Sequence, residues 1–276
     1  MARRLVCLGY GYVASALGRL LAHEGWSVTG TQRSAAAGNV EIVIFDGATV
    51  SDTLRAALAS ADAVLASIPP DDDGDPALRL LGADFAPRGA WLGYLSTTGV
   101  YGDRQGGWSF EDDRRAPSSA VSARRVIAED QWRAHGAHVF RLPGIYGPGR
   151  SAFDRLRAGD ARRIVKPGLV FSRAHVDDIA AALAASIARP QPGRAYNVCD
   201  DEPAPPQDVI AYAANLLGVA PPPAIAFADA NLPAAAARFY TDSKRVSNAR
   251  AKAALGWRPC YPSYREGLTA ILEGGG

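Results

Sequence analysis

The sequence predicts an α/β fold, a doubly wound parallel sheet with a smaller C-terminal lobe. Short apolar runs alternate with helical patterns through the first half, which is the signature of repeated strand–helix units. A glycine-rich turn joins the first run directly to the first helical stripe. With 276 residues, 48% of them apolar, the chain can fill one large core and a second, smaller one.

Six runs read as strands: LVCL (5–8), WSVTG (26–30), EIVIF (41–45), AVLASI (63–68), WLGYLS (91–96) and HVFRL (138–142). Between the first two, Val13, Ala16, Leu17, Leu20 and Leu21 recur at helical spacing, so one face of that helix is apolar and can lie on the sheet. Gly25 follows where a helix-ending glycine belongs. Later helices are expected around Ile179–Ile187, around Val209–Leu217, and over Val246, Ala249, Ala253 and Leu255. Asp75 before Pro76 reads as a helix cap followed by a first-turn proline. Composition shifts near Gly147, and proline clusters at 203–206 and 221–223 punctuate the second half. The expected division is a dinucleotide-binding domain over 1–148, to which 169–200 returns, and a small lobe from 149–168 and 201–276. That lobe would cover the carboxyl ends of the strands, where open α/β sheets bind ligands.

Thirty basic against 28 acidic residues leave a charge of +2, far from the basic stripe that nucleic acid requires. The three cysteines, Cys7, Cys199 and Cys260, are far apart and without metal-ligand spacing, which argues for a reducing compartment and no zinc site. The aspartate run before Pro76 lacks the glycine and closing glutamate of a calcium loop. No run reaches the roughly 18–20 apolar residues of a membrane span, and no signal core opens the chain. The expectation is a cytoplasmic protein without a metal, with room for a homodimer.

The segment LVCLGYGYVA supplies Gly9, Gly11 and Ala14 as G-x-G-x-x-A between a strand and a helix, the context a Rossmann-type dinucleotide site needs. Gly9 permits the turn, Gly11 lets a pyrophosphate approach, and Ala14 allows close packing. Tyr10, Tyr12 and Val13 complete the loop. About 20 residues on, where NAD enzymes carry an acidic residue, stands Arg33, whose guanidinium can pair with a 2′-phosphate. NADP is therefore the expected cofactor, with NAD the alternative. Asp46 is a candidate beside the adenine, or else an ordinary turn aspartate; Ser67 and Pro143 are further candidates for cofactor contact.

With STTGVYGD (96–103), FRLPGIYGPGR (140–150), RAHVDDIA (173–180), YNV (196–198), DSKRVSNAR (242–250) and LGWRPCYPSYREGL (255–268) in order, the chain resembles the extended short-chain dehydrogenase/reductases. These are the NAD-dependent epimerase/dehydratases, and the likeness is stronger to their atypical members. The resemblance implies a nicotinamide cofactor, a hydroxyl or keto substrate, often a sugar nucleotide, and Thr97 as the active-site hydroxyl. It also implies a Y-x-x-x-K pair eight residues before a helical glutamate. Counting back from Glu129 puts Val121 and Arg125 at those positions, so the usual acid/base pair is missing. Arg125 can still donate to the nicotinamide ribose. The groups weighed as replacements are Ser118, Ser119 and Ser122, which neighbour Val121, Tyr101 and Tyr146, which end motifs near the cofactor, and His175 beside Asp177 and Asp178. Arg141, Tyr146, Arg150 and Arg173 are candidates to bind a small-molecule substrate, anionic if the arginines touch it. The alternative is a dinucleotide-binding regulatory or sensor protein without turnover.

Overall fold

The computed structural model describes residues 2–34, 40–85 and 89–275. Seven strands form one wholly parallel sheet: β1 (Arg4–Leu8), β2 (Ser27–Gln32), β3 (Glu41–Ile44), β4 (Ala63–Ala66), β5 (Trp91–Thr97), β6 (His138–Leu142) and β7 (Ala195–Asn197). Their order across the sheet is 3-2-1-4-5-6-7, with the reversal between β1 and β4. Such a reversal opens a crevice at the carboxyl ends of the strands.

Both faces of the sheet are buried, as a parallel sheet requires. On β1, Leu5 and Cys7 join a core with α1 (Tyr12–His23) and α6 (Val176–Ala188), while Val6 and Leu8 join one with α2 (Asp52–Ala59), α3 (Pro76–Leu81) and α4 (Ala120–Ala134). A third core, with Tyr146, Phe153, Ala213 and Leu268, gathers α5 (Ala152–Arg157), α7 (Pro206–Leu216) and the C-terminal helix Tyr264–Glu273. Among the described residues no helix is long and apolar enough to cross a membrane.

Local chemistry accounts for the element ends. Gly25 takes φ +81° just past α1. Asp75 caps α3 by accepting from the Ala77 and Leu78 amides, and its second oxygen receives the buried Trp132 indole N–H at 2.9 Å. The strand Ala195–Asn197, at the sheet edge, is too short to announce itself by periodicity. Val246, expected in a helix, instead pairs in a two-residue strand with Trp108–Ser109, and the helix begins after Asn248.

Candidate active site

The glycine loop lies at the carboxyl end of β1. Gly9 adopts φ +91°, donates its amide to Thr31 Oγ1 at 2.8 Å, and a Cβ there would lie 2.7 Å from Ser67 Oγ. Only glycine suits both the backbone and the space. Gly11 caps α1 without any side-chain acceptor, no acidic residue occupies the first turn, and the space where its Cβ would point is open. The first amides of α1 therefore await an anion, and the helix dipole favours one.

A cleft of about 290 Å³ opens at this point. It brings together Gly11, Tyr12 and Val13 of the loop with Ser67, Thr97, Arg125, Pro143 and Arg150. Thr97 ends β5, and its Oγ1 accepts the Gly99 amide at 3.1 Å. Arg125 is fixed to β5 through Nη1, which donates to Leu95 O at 2.7 Å and to the Tyr94 hydroxyl at 3.0 Å. Its Nε and Nη2 have no protein partner among the described residues, so they can serve a ligand. Arg150 stands at the rim over the Tyr12 ring. Ser67 Oγ donates to Gly9 O at 2.6 Å, Ser96 Oγ to Glu129 at 2.6 Å and the Tyr12 hydroxyl to Pro148 O at 2.9 Å, which leaves Thr97, among the described residues, as the hydroxyl in the lining with an uncommitted hydrogen.

Val121 sits on the first turn of α4, 55% exposed, one turn before Arg125. Among the described residues the phenol in the cleft lining is that of Tyr12, whose hydroxyl donates to Pro148 O at 2.9 Å. Tyr94 touches Arg125 but is wholly buried, and burial pushes its pKa well above the phenol range. Tyr101 is also buried: its hydroxyl donates to Asn197 Oδ1 at 2.7 Å, and burial raises its pKa to about 12. His175 caps α6, accepting the Asp177 amide, and burial keeps its pKa below the usual imidazole value.

Several expected contacts fall elsewhere. Arg141, expected at the substrate, is 1% exposed and committed to a buried network. Its Nε and Nη2 reach Glu129, and its Nη1 donates to the Tyr101 hydroxyl and Glu111 O. Burial opposes its charge, but the Glu129 carboxylate outweighs burial and holds the guanidinium above its ordinary value. Tyr146, also expected at the substrate, is buried in the lobe core with its hydroxyl toward Ser263 O. Arg173 turns to the carbonyls of Phe171 and Ala204. The Tyr10 ring packs into space left by Gly18 and Gly30 and is turned from the cleft, and its amide bonds to Thr31 O. Gly9 supports the turn from beneath. Asp46 is an exposed turn aspartate accepting the Ala48 and Thr49 amides, which lower its pKa. Arg33 is exposed just beyond β2, outside the cleft lining. Leu95, Leu142 and Ile145 also line the cleft; their signal was their place toward the carboxyl ends of β5 and β6 and in the short strand Gly144–Tyr146 that follows β6.

The glycine turn and the reversed parallel sheet give the chain a Rossmann-type fold, similar to that of NAD-dependent epimerase/dehydratases. Over 99% of its length it is similar to the solved structure of a functionally unknown conserved protein from Silicibacter pomeroyi, with 49% identity, a TM-score of 0.92 and 99% of that chain covered. It is similar over 99% of its length, at 25% identity and a TM-score of 0.72, to 98% of a Methylobacillus flagellatus protein described as a "putative NAD-dependent epimerase/dehydratase". A curated relative, a 3-diazoavenalumate denitrifying reductase from a Streptomyces species, is 36% identical over 147 residues, which is 47% of this chain. That match spans 45% of the relative's own length. No family model matches the chain.

Proposed function

We propose that the protein is an NADP-preferring oxidoreductase of the epimerase/dehydratase family, acting on a small hydroxyl- or keto-bearing substrate such as a sugar derivative. The supporting observation is the single cleft that joins an uncapped helix N-terminus to Ser67, Thr97, Arg125 and Pro143. These residues fit a nicotinamide dinucleotide, which when bound supplies the hydride chemistry. The α1 amides receive its pyrophosphate, Arg125 Nη2 and Nε reach toward the nicotinamide ribose, and Arg33 pairs with a 2′-phosphate. Thr97 orients and polarises the substrate oxygen. Arg150, at the rim, suits an anionic substituent. The lobe formed by 149–168 and 201–276 closes the substrate side.

Val121 favours a second reading, a dinucleotide-binding protein without turnover, because the position that should carry a proton donor carries none. Titration of the purified protein with NADPH, NADP, NADH and NAD tests the first step. Binding of NADP(H), weakened at least tenfold by Arg33→Ala while NAD(H) binding is unchanged, is the expected result. Binding of none of the four sinks both readings. Turnover of a carbonyl panel with the bound dinucleotide separates the enzyme from the sensor.

A further inference from the structure

Two guanidinium groups line the cleft, and that of Arg125 is aimed from inside the core. Its Nη1 donates to Leu95 O at 2.7 Å and to the Tyr94 hydroxyl at 3.0 Å. Among the described residues no carboxylate pairs with it, whereas its neighbour Arg124 pairs with Asp72. Leu95 O is a backbone acceptor that any residue would supply, but the second acceptor depends on a side chain. That side chain is 0% exposed, its ring lies stacked on Trp132 with centroids 5.7 Å apart, and the Trp132 indole N–H is held by Asp75 at 2.9 Å. A hydroxyl on a ring so packed is a fixed point. Because a guanidinium is planar and rigid, holding Nη1 at two acceptors also sets the direction of the edge that carries Nε and Nη2.

We propose that Tyr94 is a positioning residue, whose buried hydroxyl holds Arg125 so that Nε and Nη2 donate to the two hydroxyls of the nicotinamide ribose. The proposal rests on the oxidoreductase reading above. It assigns the free edge of Arg125 to a neutral diol that NAD and NADP share, since two parallel N–H donors match two acceptor oxygens on adjacent carbons. Tyr94 lies outside the cleft lining, so it acts through Arg125 alone.

The test is a double-mutant cycle in dinucleotide affinity, read by calorimetry on the full chain. Tyr94→Phe deletes the acceptor but keeps the ring against Trp132. It is expected to weaken NADPH and NADH alike, about three- to tenfold, the size of one net hydrogen bond. Arg125→Met weakens both at least tenfold, as loss of hydrogen bonds from a charged group does. Adding Tyr94→Phe to Arg125→Met weakens neither further, because the hydroxyl has no other route to the ligand. A merely structural tyrosine would instead let the two losses multiply. Crystals of the wild type with NADPH give a second measurement that needs no variant, and Arg125 Nε and Nη2 within hydrogen-bond reach of the ribose hydroxyls are expected. Wild-type affinity in Tyr94→Phe, losses that multiply, a loss confined to NADPH, or a ribose bound away from Arg125 overturns the proposal, while dinucleotide binding leaves the oxidoreductase reading intact. Wild-type protein that binds no dinucleotide overturns both, and the titration tells that failure apart.

Discussion

Replacing Arg141 with methionine separates a substrate contact from a structural one. The guanidinium makes hydrogen bonds to both Glu129 oxygens, at 3.0 and 3.2 Å from Nε and 2.7 Å from Nη2. Nη1 adds 2.9 Å bonds to the Tyr101 hydroxyl and Glu111 O. Removing one partner of a buried pair typically costs about 3–5 kcal/mol, because the other charge is stranded away from water. Glu129 is 0% exposed, yet it keeps Ser96 Oγ at 2.6 Å and Arg115 Nη1 at 3.2 Å, which places Arg141→Met near the lower end, about 3 kcal/mol. For a chain of this size that corresponds to a melting temperature lower by about 6–12 °C. Urea denaturation and thermal melts read the change directly. Adding Glu129→Gln should recover part of it, since a neutral amide is cheaper to bury than a stranded carboxylate. Unchanged stability with weakened substrate binding would refute this reasoning and return Arg141 to the cleft.

Four further outcomes are expected. Asp75→Ala removes a cap and strands the Trp132 indole N–H, which should cost about 2–3 kcal/mol in urea melts; a loss below about 1 kcal/mol would show the indole finding water. Gly9→Ala forces a side chain into φ +91° against Ser67, lowering stability by about 1–2 kcal/mol and dinucleotide affinity at least tenfold by calorimetry, and wild-type affinity would remove Gly9 from the turn's function. Asp200 is buried with neither carboxylate oxygen bonded among the described residues, and burial raises its pKa to about 8. The folded state thus holds a proton that the unfolded chain releases above about pH 4, so stability falls as pH rises from about 4 to about 8 and then levels off. Asp200→Asn should flatten that fall in urea midpoints taken at about pH 6 and 9, and an unchanged slope would assign it to other groups. Val121→Tyr with Arg125→Lys should raise carbonyl turnover in the loaded enzyme; no gain would mean that the pocket no longer presents substrate to that turn.

Six of the seven sheet strands could be read from short apolar runs, because a strand buried on both faces, as β4, β5 and β6 are, must be apolar at consecutive positions. The glycine loop was equally plain, since Gly9 and Gly11 answer to the backbone geometry of a few adjacent residues. The N-cap at Asp75 and the C-cap at Gly25 are legible for the same reason. Arg141 shows where such reading stops. HVFRL announces a buried strand, and all five residues of β6 are buried, but which anion meets the arginine depends on where α4 puts Glu129. Tyr146 follows the same rule, since its hydroxyl is covered by the C-terminal helix that brings Gly267 against it.

The linear pattern accounts for the parallel sheet and the turn at Gly9, because each depends on residues adjacent in the chain. Packing decided the rest. Thr97 and Arg125 come together in the cleft because α4 lies against β5, and Arg125 is aimed by Tyr94 and Leu95, about 30 positions earlier. Arg141 left the cleft for Glu129 because a buried charge must pair with whatever opposite charge the packed helix brings within reach.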